Sequence, residues 1–205
     1  MAEHLEIEQK FDVETGFVRP DRATLEERLR GEQGERITAD EPVLHRLSAT
    51  YFDTPDGRLA SSKITLRRRT GGTDEGWHLK LPAGVNARRE VRAPLGTAEL
   101  EVPADLATRV AEVTGGQPLA PIATLDTERT VVTLHGDDGR VVAEIADDVV
   151  TGRRVSPGAP VQWREIEVEV PVAAPELQRA AADLLLAVGA RPAGHGSKLA
   201  RLLNS

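Results

Sequence analysis

The sequence predicts a mixed α+β chain in which helices pack outside an antiparallel sheet or barrel. Three observations predict it. About eight or nine short segments alternate polar and apolar residues, as half-buried strands do. Turn signals rich in Gly, Pro and Asp separate them. Three longer segments carry helical spacing instead. A sandwich with helices at its edges fits the same pattern nearly as well. At 205 residues the chain is long enough to bury a real core. One domain over residues 1–205 is expected, because no linker, repeat or low-complexity stretch divides it.

Taken in order, His4 to Asp12 alternates Glu6, Glu8 and Lys10 against Ile7 and Phe11, which is a strand. Pro20 to Arg30 reads as a helix, with Asp21 near its cap and Leu25 and Leu29 on one face. Leu44 to Phe52 is a strand closed by the turn cluster Asp53-Thr54-Pro55-Asp56-Gly57. Lys63 to Thr70 and Gly76 to Leu81 form a hairpin around Gly71-Gly72, and Arg88 to Ala93 is a further short strand. Pro103 to Thr114 spaces Leu106, Val110 and Val113 on one helical face and meets Gly115 at its end. Thr127 to His135 and Arg140 to Asp148 flank Asp137-Asp138-Gly139, a hairpin turn. Val149 to Val155 and Val161 to Val170 follow as strands. Ala174 to Val188 is the clearest helix, with Pro175 in its first turn and Gly189 at its end. Ser197 to Leu203 forms a short terminal helix.

Composition excludes several chemistries. There is no cysteine, so disulfides, thiolate metal sites and a cysteine nucleophile are excluded. No apolar run is long enough for a membrane span, and the acidic start MAEHLEIEQK has no signal core, so a cytoplasmic location is expected. A net charge of -7 and few aromatic residues argue against a nucleic-acid surface, including at Arg67-Arg68-Arg69. The Gly71–Gly76 spacing lacks the lysine of a phosphate-binding loop, since Trp77 stands in its place.

Residues two apart on a strand share a face, and here the charges sort by sign. Glu6 and Glu8 share a face with Lys10; Glu165, Glu167 and Glu169 share another; Glu144 and Asp148 a third, with Asp147 on the opposite side. Cations group likewise: Lys63, Arg67 and Arg69; His78 and Lys80; Arg88 and Arg92, with Glu90 between them; and Arg129 alongside Thr133. Like charges at adjacent same-face positions repel unless a counter-charge is bound. Alternation alone leaves open whether these faces meet solvent or the inside of a barrel. If they line a barrel, Glu6, Glu8, Glu165 and Glu167 form an oxygen wall suited to Mg²⁺ or Mn²⁺. Arg67, Arg69, Lys80, Arg92 and Arg129 form a wall suited to phosphate. Together they are equipment for phosphoryl transfer, which needs positioning and charge neutralisation more than covalent chemistry.

An ordered set of motifs then resembles one family. Glu6-Ile7-Glu8-Gln9-Lys10 looks like the ExExK signature of the CYTH superfamily, also called triphosphate tunnel metalloenzymes. Tyr51-Phe52-Asp53-Thr54, Leu66-Arg67-Arg68-Arg69, Trp77-His78-Leu79-Lys80, Arg89-Glu90-Val91-Arg92, Glu165-Ile166-Glu167-Val168-Glu169 and Ser197-Lys198-Leu199 follow in the family's order. The motif around Tyr51 also reads as purely structural, with Asp53 starting a turn.

The resemblance implies an eight-stranded antiparallel β-barrel, a triphosphate tunnel with its charged faces inward. It implies that Glu6, Glu8, Glu165 and Glu167 bind Mg²⁺ or Mn²⁺, assisted by Glu144 or Asp148 and by Glu169. It implies that Lys10, Arg67, Arg69, Lys80, Arg129 and Lys198 grip phosphates, with Arg92 as an addition. In that frame Lys10, Lys80 and Glu169 are the catalytic candidates: Glu169 to orient water, Lys80 or Lys198 to neutralise the leaving group. The implied activity is metal-dependent hydrolysis of inorganic triphosphate or a related linear triphosphate, releasing orthophosphate. The alternatives are a polyphosphate-binding module without turnover, a class IV-type adenylyl cyclase, or a thiamine triphosphatase. Thr65 offers no aromatic contact for an organic base, which favours the inorganic substrate. The ending Gly196 to Leu203 resembles the junction to a CHAD domain, an implied partner in cis or trans.

Overall fold

The computed structural model describes residues 2–31, 34–84, 86–156, 158–170 and 174–205. Strand β1 (Ala2–Val13) pairs antiparallel with two neighbours, β6 (Ala87–Ala93) along its first half and β9 (Val161–Val170) along its second. That double pairing closes the sheet. The path runs from β6 through β5 (Gly76–Pro82), β4 (Thr65–Thr70), β3 (Val43–Asp53), β7 (Ala120–His135) and β8 (Val141–Arg154) to β9. The result is a closed eight-stranded antiparallel barrel, which leaves no open edge. Two-residue strands β2 (Thr38–Ala39) and β10 (Arg191–Pro192) add to β7 and β1.

Among the described residues five helices pack around the barrel. The outward apolar residues of β1, β7, β8 and β9, among them Phe11, Leu134, Ile145 and Val168, are covered by α1 (Arg22–Arg28) and α4 (Pro175–Ala187). Asp21 caps α1 by accepting from the Thr24 N–H at 2.9 Å, which is why the helix begins there. The outward residues of β3 to β6 are Phe52, Leu66, Trp77, Leu79 and Val91; α2 (Arg58–Ser61) and α3 (Ala104–Thr114) cover them.

A third apolar cluster lies inside the barrel at one end. Ala49, Tyr51, Leu125, Val150 and Trp163 meet Leu199 and Leu202 of α5 (Lys198–Leu203), which closes that end. The close fit needs Gly152: a Cβ there would stand 2.9 Å from the Leu202 side chain and 3.1 Å from the Trp163 ring. Ser197 starts α5 by accepting from the Ala200 N–H at 3.1 Å.

Three features depart from the sequence expectation. β8 is one unbroken strand rather than two, because its inward face changes from charged Glu144 and Asp148 to apolar Val150 as it passes from tunnel to plug. The periodicity looked interrupted where the barrel's contents change. β7 begins at Ala120 rather than Thr127; Pro121 sits where its register against β3 shifts, a position that tolerates proline. Helix α2 follows directly on the turn cluster, in a stretch assigned no element, and the Asp53 carboxylate organises its start.

Trp77 is fully buried, with its ring 5.0 Å from that of Phe52. Trp77→Ala should therefore cost about 3–5 kcal/mol of stability. Chemical denaturation checks this, and a loss near zero would contradict the packing described.

Candidate functional site

Directly paired residues of neighbouring strands share a face, so the register lays out the interior. Glu8 stands opposite Glu169, and Glu169 opposite Glu144. Lys10 stands opposite Glu167; Glu165 opposite Asp148, and Asp148 opposite Arg129. On the far wall Tyr51, Arg67, His78 and Arg92 align across β3 to β6, as do Thr65, Lys80 and Glu90. Between these two walls lies a cavity of about 210 Å³.

Twelve of the residues singled out from the sequence line it: Glu6, Glu8, Lys10, Arg67, Arg69, Lys80, Arg92, Arg129, Glu144, Glu167, Glu169 and Lys198. Asp148 and Glu165 do not. They are fully buried behind the wall. The Lys198 ammonium sits among Asp148, Glu165 and Glu167 at 2.7, 2.8 and 2.7 Å. Arg129 adds a two-pronged contact to Asp148 at 2.8 and 2.7 Å, and Glu165 accepts from the Trp163 ring N–H at 2.6 Å. A trio of carboxylates with the spacing of a metal site thus already holds a cation of the protein's own.

The other pairings follow the same rule. Lys10 bridges Glu8, at 2.8 Å, and Glu167. Lys80 pairs with Glu6, and Arg92 with Glu90. Burial alone would lower Lys10 and Lys198, but the facing carboxylates hold both well above the usual lysine range. Burial would likewise raise Glu167, yet Lys10, Lys198 and Arg129 hold it well below the carboxylate range. Glu165 falls to about 2, burial being outweighed chiefly by Lys198.

Two arginines are only partly satisfied. Arg67 contacts only the Tyr51 hydroxyl, at 3.3 Å, and Arg69 pairs with Asp74; the Nε atoms of both are buried without a hydrogen-bond partner. Burial, with Arg67 and Arg129 beside it, pulls Arg69 down to about 8, so it stays charged at neutral pH. On the opposite wall burial, aided by Glu6 and Glu8, pushes Glu169 up to about 7. The interior is short of an anion on one side and of a cation on the other.

Sequence reasoning placed Glu90 and Tyr51 within motifs but gave neither a site role, and it passed over Asp74. Glu90 is fully buried and pairs with His78 at 2.8 Å, holding the base of the wall that carries Lys80 and Arg92. Its same-face position between Arg88 and Arg92 was the available signal. Asp74 lies in the β4–β5 loop, where alternation gives no direction. Asp53 accepts from the N–H groups of Thr54, Leu59 and Ala60 at 2.7, 2.8 and 2.9 Å, a structural role.

The family model of the CYTH domain matches residues 4–201. The chain belongs to the CYTH family. This CYTH chain is also 43% identical, over its whole length, to two Mycobacterium tuberculosis proteins, Rv2226 of strain H37Rv and MT2285 of strain CDC 1551. It spans 41% of their length. Among solved structures, the bh2851 protein of Bacillus halodurans shares the CYTH fold with a TM-score of 0.63 at 19% identity, each chain covered over 98%. HpAC1 of Hippeastrum, which has a dominant triphosphatase activity, aligns with a TM-score of 0.50 at 17% identity, covering 97% of this chain and 95% of its own. No helix among the described residues of the CYTH chain is long and apolar enough to cross a membrane.

Carboxylate oxygens of Glu6, Glu8, Glu144, Glu167 and Glu169 line the cavity, and this is the ligand type that suits a hard divalent cation. Lys198→Met should leave three buried carboxylates without their shared ammonium and cost about 3–5 kcal/mol in metal-free buffer. Thermal and chemical unfolding test it; an unchanged midpoint would mean that these carboxylates do not depend on Lys198.

Proposed function

We propose that this CYTH domain, acting as one unit over residues 1–205, hydrolyses the terminal phosphoanhydride of inorganic triphosphate or a related linear triphosphate. The observation that carries the reading is the convergence of Arg67, Arg69, Arg92 and Arg129 on one cavity whose opposite wall is carboxylate. The cavity is smaller than the roughly 300–1,000 Å³ of pockets that bury a drug-sized organic molecule, which suits the compact charged part of a substrate. The dominant triphosphatase activity of HpAC1 is in keeping with hydrolysis rather than cyclisation.

In this reading Arg67, Arg69, Arg129 and Arg92 bind the phosphate oxygens with charge-assisted hydrogen bonds. Lys10, Lys80 and Lys198 supply compact positive charge where negative charge builds up on the leaving pyrophosphate. Glu6, Glu8, Glu144 and Glu167 would hold Mg²⁺ or Mn²⁺, which neutralises charge on phosphate and activates water when bound. Asp148 and Glu165 are assigned to position Lys198. Glu169 orients the attacking water. The water oxygen forms a bond to the terminal phosphorus as the bridging P–O bond breaks; one water proton stays on the orthophosphate and the other passes to the leaving pyrophosphate. A CHAD domain is proposed as partner in cis or trans, since the M. tuberculosis relatives have length beyond the matched part, and a cytoplasmic setting suits both.

The test is a panel of triphosphate, ATP, thiamine triphosphate and long polyphosphate, each with Mg²⁺ and Mn²⁺ and with product identification. Orthophosphate release from triphosphate is expected. Glu167→Gln and Arg67→Ala should each lower kcat/KM by roughly 100-fold or more. Full activity in both variants would sink the mechanism. Cyclic AMP with pyrophosphate from ATP would make the protein a cyclase, and tight binding without turnover would make it a binding module.

A further inference from the structure

A second cavity, of about 560 Å³, lies at the end of the barrel where α5 enters. It shares Glu8, Lys10, Thr65 and Arg88 with the wall of the first cavity, so the two adjoin. We propose that it binds the phosphates of a linear polyphosphate that extend beyond the three held in the tunnel, with Lys63 as their charge anchor. The proposal rests on the triphosphate reading and names a longer substrate class for the same site.

Its charge balance favours an anion. Lys10, Lys63, Arg88 and the imidazole of His195 line it, against one carboxylate, Glu8. Lys10 is already engaged with Glu8 and Glu167, but the exposed Lys63 ammonium has no ion pair or hydrogen bond among the described residues. No Phe, Tyr or Trp lines the cavity, so nothing there stacks a nucleobase as those rings would.

The backbone points to the same residue. Lys63 has φ 59°, in the left-handed region where a side chain is strained and glycine is not. It closes helix α2: its N–H donates to the Ala60 carbonyl at 2.9 Å, and the Ile64 N–H to the Leu59 carbonyl at 2.8 Å. Glycine is the usual residue at such a helix end. Among the described residues the other non-glycine with positive φ is Asn86, and it lines the same cavity. A strained lysine with an unused charge, on the lip of a cavity adjoining the tunnel, is explained if that charge meets a ligand. Arg88 fixes the lip, donating to the Lys63 carbonyl at 2.7 Å and to the Gly196 carbonyl at 2.8 Å.

The experiment compares wild type, Lys63→Gly and Lys63→Arg with inorganic triphosphate, linear hexaphosphate and ATP, measuring steady-state kinetics, calorimetric binding and melting temperature. Lys63→Gly should raise KM and Kd for hexaphosphate roughly fivefold, the scale of one partly solvated charge contact, and leave those for triphosphate unchanged. Its melting temperature should equal or exceed that of wild type, because the strain is relieved. Lys63→Arg should bind hexaphosphate like wild type. Unchanged hexaphosphate binding in Lys63→Gly overturns the proposal, and so does an equal loss for triphosphate. A loss confined to ATP overturns it in favour of a nucleoside subsite. If wild type neither binds nor cleaves triphosphate, the earlier reading fails instead, while calorimetry with hexaphosphate still reads the second cavity separately.

Discussion

The Lys198 ammonium, seated among three buried carboxylates, is the contact on which the interior depends. A closed barrel that turns its polar faces inward removes those groups from water, and a buried charge is tolerable only when paired. β1, β8 and β9 bring Glu8, Asp148, Glu165 and Glu167 together. Lys10 and Arg129 compensate part of that charge from neighbouring strands. The remainder is balanced from outside the sheet, by the first residue of a helix near the end of the described chain. The barrel's electrostatics are therefore complete only when α5 is in place.

The balance is also deliberately uneven. The chain as a whole carries a net charge of -7, yet Arg67 and Arg69 keep unpaired donors within the cavity, and Glu169 retains a partial claim on a proton across from them. Fully neutral pairing would give a rigid and inert core. Leaving buried charges incompletely paired on the two walls costs stability, and on the reading proposed above a phosphate with its metal would complete them. Natural proteins depart from local rules of this kind mainly where function requires it.

Strand periodicity made much of this legible, because a face repeat of two is strict along a regular strand. It correctly grouped Glu6 with Glu8 and Lys10, and Arg67 with Arg69, and it set Asp147 apart from Asp148. Asp147 indeed points outward, to Arg164 at 2.8 Å. What alternation could not supply was the sense of the faces, which depends on whether the sheet closes; the family motifs supplied it. Depth was also hidden. Glu165 and Glu167 look alike in sequence, but only Glu167 reaches the cavity, because Lys198 and Trp163 stand over Glu165. Glu90 was grouped with Arg88 and Arg92 but given no role, because alternation carries no depth; it is the buried base of the opposite wall.

Gly152 ties the outer architecture to this chemistry although it carries no functional group. It lets β8 pass against Leu202 and Trp163. A methyl group at that position would press on the tip of Leu202 and the edge of the Trp163 indole, so the packing beside the lysine-bearing helix would have to give by a few tenths of an ångström. A residue without any functional group thus borders the charged cluster through its lack of a side chain.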